Sequence, residues 1–180
     1  MQALEFAILD WIQLHLRRGF LDALLPLITH LCDHGEIWIL LVLVLLAIRR
    51  TRRQGAALAC GLVLDLLACN LLLKPLVGRV RPFALRPEMA LLVEAPLDAS
   101  FPSGHTAASF AAVLALRASG SPLWKPALAL ALVITFSRLY LYVHWPSDVL
   151  GGMLVGAAAG YLGARLAEHL LRRFGTEGKK

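Results

Sequence analysis

Polar sequence is what this 180-residue chain has least of. Charged residues make up 17% of it against 58% apolar, and the mean hydropathy is strongly positive, which excludes an ordinary soluble domain. No Pro/Gly/Ser-rich linker interrupts it, so a single domain over residues 1–180 is expected. Cysteine is scarce as well. Cys32, Cys60 and Cys69 lie in or beside apolar runs with neither CxxC nor CxxH spacing, and read as small hydrophobes rather than as disulfide or zinc partners. Acidic residues are outnumbered, 12 against 18 Lys and Arg, for a net charge of +6. These cations gather at the ends of apolar runs instead of forming one basic face with interleaved aromatics, which argues against nucleic acid as a partner and for membrane topology.

What remains is a pattern of apolar runs that implies an all-α, polytopic transmembrane helix bundle. Residues 3 to 17 alternate apolar and polar positions with a helical period and are too short to cross a bilayer. They predict an amphipathic helix lying in the interface within segment 1–18, without the layout of a cleaved signal peptide. Residues 20–48 hold one span with a kink at Gly35, or two; 55–73, 103–118, 124–143 and 147–168 supply four more. The bundle therefore covers 20–170 with five or six spans, and 171–180 form a cytoplasmic tail. Gly152, Gly156, Gly160 and Ala164, four apart, make a small-residue stripe for close helix packing in lipid. Residues 82–101, with three prolines and Glu88, Glu94 and Asp98, read as an exposed loop. Arg49, Arg50, Arg52 and Arg53, then Arg117 and Lys125, then Arg172 and Arg173 fall on one side if five spans alternate, which assigns that side to the cytoplasm. Lys74, Arg79, Arg81 and Arg86 then lie outside against the charge rule, as if held there by a task.

Three polar pieces share that external face. Pro102-Ser103-Gly104-His105 opens a helix, where unpaired N–H groups and the helix dipole favour an anion. Lys74 and Arg81 lie seven apart, two turns if the helix continued, though Pro75 and Gly78 suggest that it ends and the chain curls back; in either geometry both can reach one phosphate, as can Arg138. Trp145-Pro146 starts the last span, so Asp148 falls in its first turn and can reach back to fix the tautomer of His144. An oriented imidazole facing a bound phosphate can attack phosphorus, while His105 protonates the leaving oxygen and then activates water. Ser103, Gly104 and Arg138 would spread over the phosphate oxygens.

Lys74 with Arg81-Pro82, then Pro102-Ser103-Gly104-His105, then Ser137-Arg138 with His144 and Asp148, together resemble the three-part signature of the type 2 phosphatidic acid phosphatase and vanadium haloperoxidase superfamily, over roughly residues 35 to 170. The resemblance implies a phosphatase without metal or other cofactor, with His144 as nucleophile, His105 as general acid and Asp148 orienting His144. Lys74, Arg81, Ser103, Gly104 and Arg138 would bind phosphate. It is strongest with small bacterial membrane members, so the expected partner is a lipid phosphate, undecaprenyl diphosphate first and phosphatidate or phosphatidylglycerophosphate next, cleaved at the external face of the cell membrane. Phosphoryl transfer to a second lipid, or a transporter that merely binds phosphate, are the rivals; oligomeric state is left open. Outside the three pieces, Asp65 is expected in a structural bond inside the bundle, Asn70 as a support for Lys74, and Tyr140, Tyr142 and Trp145 as an interfacial belt. His15, His30, His34 and His169 are expected to pack at the interface.

Overall fold

The computed structural model describes residues 2–175, and no strand occurs among them. Eight α-helices follow one another: α1 (Gln2–Leu16), α2 (Gly19–His30), α3 (Glu36–Ala47), α4 (Arg52–Asp65), α5 (Lys74–Val77), α6 (Gly104–Ala118), α7 (Trp124–Tyr140) and α8 (Pro146–Gly175). A wide π-type stretch, Leu66–Leu73, joins α4 to α5 without a break. The expected tail beyond 175 lies outside the described residues.

The core is built where apolar faces of α3, α4, α6 and α7 meet, around Trp38, Val42, Leu58, Leu116, Ala131 and Ile134. Helix α8 packs most extensively against α6 and α4. The glycine stripe explains how: a Cβ at Gly156 would sit 2.0 Å from the Ala107 carbonyl oxygen, and one at Gly160 would sit 2.2 Å from that of Ala111. The backbones of α6 and α8 therefore touch, and that contact fixes the start of α6 against the start of α8. The outward faces carry Leu40, Leu43, Val63, Leu71, Leu150 and Leu154, all more than half exposed, which is the surface a bilayer rather than water would cover. Two helical segments, Arg49–Leu85 and Pro146–Arg173, are each long and apolar enough to cross a membrane.

The segment 20–48 is two helices. The chain breaks across residues 31–35, where Gly35 takes a left-handed φ of 78° and caps α3. Helix α2 packs on α7, whereas α3 packs on α4 and α6. Helix α1 does more than lie amphipathically at a surface. Its Leu9 is fully buried against Tyr142 and Trp145, Phe6 meets Trp145 edge to face at 4.7 Å, and Asp10 accepts the Tyr142 hydroxyl at 2.7 Å. Tyr140 is likewise buried and donates to Asp22 at 2.6 Å. The three aromatics expected as an interfacial belt are thus interior, because α1 and α2 cover the end of the bundle on which they stand.

Gly160→Ala should force α6 and α8 apart and lower the unfolding temperature of detergent-solubilised protein, by about 1–3 kcal/mol of stability. Gly19→Ala, where no atom lies within 4 Å of the new methyl, should leave it unchanged or raise it slightly.

Candidate active site

Local chain geometry delivers the three polar pieces to one end of the bundle. Helix α5 stops at Gly78, whose φ of 58° lets its N–H return to the Lys74 carbonyl at 3.0 Å. The chain then reverses, as Pro75 and Gly78 foretold, and runs extended through Arg81. The start of α6 is tied to the start of α8 by a bond from the Ser103 N–H to the Asp148 carbonyl, 3.0 Å. Arg138 lies in the last turn of α7, and the following turn, with Tyr142 at φ 61°, places His144. The Trp145 N–H donates to Asp148 Oδ2 at 2.9 Å, so the carboxylate caps its own helix.

Lys74, Arg81, Gly104, His105, Arg138 and His144 line one cavity of about 850 Å³. Ser103 and Asp148 are fully buried behind its wall, and the Ser103 hydroxyl accepts a bond from Thr106 at 3.1 Å. Arg81 donates through Nη1 to His144 Nε2 at 3.1 Å. A guanidinium has no lone pair to offer, so Nε2 must be the unprotonated nitrogen and the ring proton sits on Nδ1. Nδ1 is 3.5 Å from Asp148 Oδ2, an ion-pair distance rather than a hydrogen bond, and it has no bonded partner. Burial, then the charges of Arg81 and Arg138, pushes the His144 pKa well below the ordinary histidine value. The ring is therefore neutral with its Nε2 lone pair facing the cations.

The cations are only partly neutralised. Asp98, on the loop, bridges them: one carboxylate oxygen pairs with Lys74 and the other accepts from Arg81 at 2.7 Å. Burial raises its pKa, but bonds and charge from Lys74 and then Arg81 prevail and bring it down to about 2. Arg138 donates to Thr29 Oγ1, while its Nε is buried without a partner. An orphaned guanidinium N–H in a cationic cavity calls for an anionic acceptor. His105 Nε2 lies 3.1 Å from Asp33 Oδ1, and Asp33 Oδ2 meets His30 Nδ1 at 2.6 Å. His30 and His34 line the same cavity, so they stand at its rim rather than in plain interfacial packing. Among the described residues no three His, Cys, Asp or Glu side chains converge as a metal site would.

Sequence reasoning missed the groups that hold these residues. Arg79 donates to Asp148 Oδ1 at 2.5 Å and to Ser147 Oγ at 2.6 Å, pairs with Glu5 at 2.6 Å, and lies over the Trp145 ring at 5.2 Å. Ser100 donates to Asp148 Oδ2. The signal for Arg79 was its place on the external side against the charge rule. Nothing in the local sequence pointed to Glu5 or Asp98, or to the pairing of Asp33 with His105, because those partners are remote along the chain.

An all-helical bundle that turns buried cations and two imidazoles toward one cavity belongs with the helical phosphatases. The sequence pattern of the PAP2 superfamily is matched over residues 54–171, and the chain belongs to that superfamily. Among curated relatives, an undecaprenyl-diphosphatase of Sulfolobus acidocaldarius is 32% identical over 143 residues, 78% of this chain and 69% of its own length. A decaprenylphosphoryl-5-phosphoribose phosphatase of Mycobacterium tuberculosis is 36% identical over 135 residues, 74% of this chain and 73% of its own. Among solved structures, LpxE of Aquifex aeolicus superposes with a TM-score of 0.78 at 27% identity, covering 90% of this chain and 95% of that one.

Arg79→Ala leaves the fully buried Asp148 without its guanidinium, so phosphatase kcat should fall by tenfold or more and stability by about 3–5 kcal/mol. Glu5→Gln keeps the shape of the contact and should cost less on both counts. Phosphate-release kinetics alongside thermal unfolding would check the two.

Proposed function

We propose that the protein is an integral-membrane lipid phosphatase that removes the terminal phosphate of a lipid diphosphate, with undecaprenyl diphosphate the leading substrate and phosphatidate or phosphatidylglycerophosphate the runners-up. One observation carries the reading: His144, whose Nε2 accepts from Arg81, and Arg138, whose Nε–H is unpaired, line the same cavity as Lys74, Arg81 and His105. The cavity wall also includes Leu62, Val63 and Leu66, apolar residues of a membrane-length helix, which suits a substrate whose anionic head is joined to a chain in lipid.

The terminal phosphate displaces Asp98 from Lys74 and Arg81 and takes its charge. Arg138 and the backbone at Gly104 hold the remaining oxygens. His144 Nε2 attacks phosphorus as the P–O bond to the leaving group breaks, and His105 gives that oxygen its proton. The positive charge that forms on the His144 ring is met by Asp148. Water then loses a proton to His105, attacks the P–N bond and releases inorganic phosphate with His144 restored. Lys74, Arg81, Gly104 and Arg138 serve as phosphate ligands here. Ser103 joins them as expected: it opens the helix whose terminus meets the anion, and its hydroxyl, which accepts from Thr106, keeps its own proton to donate to a phosphate oxygen.

The same reading sets the protein in the cell membrane with five crossings: α2 and α3 share the first, and α4 with α5, α6, α7 and α8 supply the rest. Arg49 to Arg53, Arg117, Lys125, Arg172 and Arg173 then face the cytoplasm and the cavity faces outward. The described chain is proposed to act as a single domain without metal.

Purified protein should release phosphate from undecaprenyl diphosphate in the presence of EDTA, and vanadate should inhibit it. His144→Ala should lose about a thousandfold or more in kcat. Acid quenching with terminally labelled substrate should leave label on the wild-type chain and none on His144→Ala; full activity in that variant would overturn the nucleophile.

A further inference from the structure

The phosphate cup does not fill the cavity. Past Lys74 its wall continues toward the middle of α4, where Leu62, Val63, Asp65, Leu66 and Asn70 line it. Asp65 was expected in a structural bond, and it has none there. Its side chain is 3% exposed, and Oδ1 is buried without a hydrogen-bond partner. Asn70 Oδ1 is orphaned in the same way and stands 3.3 Å from where a Cβ on Gly104 would be, next to Lys74 Nζ at 3.4 Å from that point. A buried polar oxygen without a partner is costly, more so at membrane depth, and persists where a ligand supplies the missing bond.

The backbone is shaped to put it there. Nine residues of ordinary α-helix make roughly two and a half turns, which would set Asp65 on the face opposite Lys74. The π-type stretch Leu66–Leu73 widens the turns between them, with the Lys74 N–H bonded to the Cys69 carbonyl five residues back. Asp65, Asn70 and Lys74 thereby come to one face and line one cavity. A wide helical segment exchanges good hydrogen-bond geometry for that phase shift, and here the shift sets Asp65, with Oδ1 buried and unpartnered, in the cavity wall.

We infer that Asp65 and Asn70 form a subsite that reads a hydroxyl group, taking lipids in which the reacting phosphate is carried on a glycerol or sugar unit. The inference rests on the phosphatase reading and, within it, names the residues that would favour the hydroxyl-bearing runner-up, phosphatidylglycerophosphate, over a polyprenyl diphosphate. Both orphaned atoms are oxygens, so the group they await is a donor. A hydroxyl donates without bringing charge into an apolar wall. An ammonium donor would be repelled by Lys74, Arg81 and Arg138, and the second phosphate of a diphosphate brings only further acceptor oxygens. A site built to bond a hydroxyl discriminates strongly against a ligand that lacks one.

The test compares kcat/KM for phosphate release from phosphatidylglycerophosphate, which has a free glycerol hydroxyl, and from undecaprenyl diphosphate, which has none. Wild type, Asp65→Leu and Asp65→Asn are measured in the same detergent, with unfolding temperatures. Wild type should hydrolyse both lipids. Asp65→Leu should shift the ratio of the two kcat/KM values by about tenfold against the hydroxylated lipid, through KM more than kcat, and Asp65→Asn, which keeps an acceptor oxygen, by less. Neither variant should unfold at a lower temperature, because the carboxylate has no partner to lose. An unchanged ratio, a drop in unfolding temperature with equal loss on both lipids, or a wild type active on the diphosphate alone would overturn the subsite. A wild type active on neither lipid would instead remove the phosphatase reading on which it rests.

Discussion

Guanidinium groups are costly to take out of water, yet Arg81 and Arg138 are 5% and 3% exposed at the end of an apolar bundle. What compensates them in the empty site is incomplete. Asp98 bridges Arg81 and Lys74, Thr29 and the Val143 carbonyl accept single bonds, and one Arg138 N–H goes without. The bundle therefore stores an unmet demand for negative charge. Burial first, and that demand after it, push the His144 pKa down, because a third positive charge beside the two guanidinium groups would be repelled. The same demand also gives the loop 82–101 a role its composition did not suggest, since its Asp98 holds Lys74 and Arg81 together.

Around the cup, support comes in two layers that meet at Asp148. On one side the carboxylate caps α8 and receives Ser100; on the other it receives Arg79, which reaches through to Glu5 of α1. The His144 ring is thus oriented less by a direct bond to Asp148 than by being held between Arg81 and a carboxylate that several donors immobilise. The close contact of α6 with α8 keeps His105 and His144, which belong to different elements, in fixed register. A cleft assembled from three distant pieces needs such a rigid pair at its base.

Much of this was legible in the sequence because it depends on local rules. The turn at Gly78, the helix start at Ser103-Gly104, the break at Gly35 and the stripe Gly152-Gly156-Gly160 follow from φ preferences, dipoles and helical period. What stayed hidden is remote or depends on phase. Glu5 and Ser147 are 142 positions apart, and no spacing joins them. The face on which Asp65 stands could not be read, because helical wheels assume a constant turn and Leu66–Leu73 departs from it. The burial of Tyr140, Tyr142 and Trp145 was missed for a related reason. An aromatic at a span end looks interfacial until another helix is laid across it.

The clasp between Glu5 and Ser147 also dictates an order of events during biogenesis. Helix α1 is made well before the residues that receive it, Tyr142, Trp145 and Ser147, so it waits without them, its apolar side against lipid, until the chain has reached α8. Full support of Asp148 is thereby tied to synthesis of α8, and a product cut short before Ser147, however well its earlier helices pack, holds a Glu5 that has never met its hydroxyl partner.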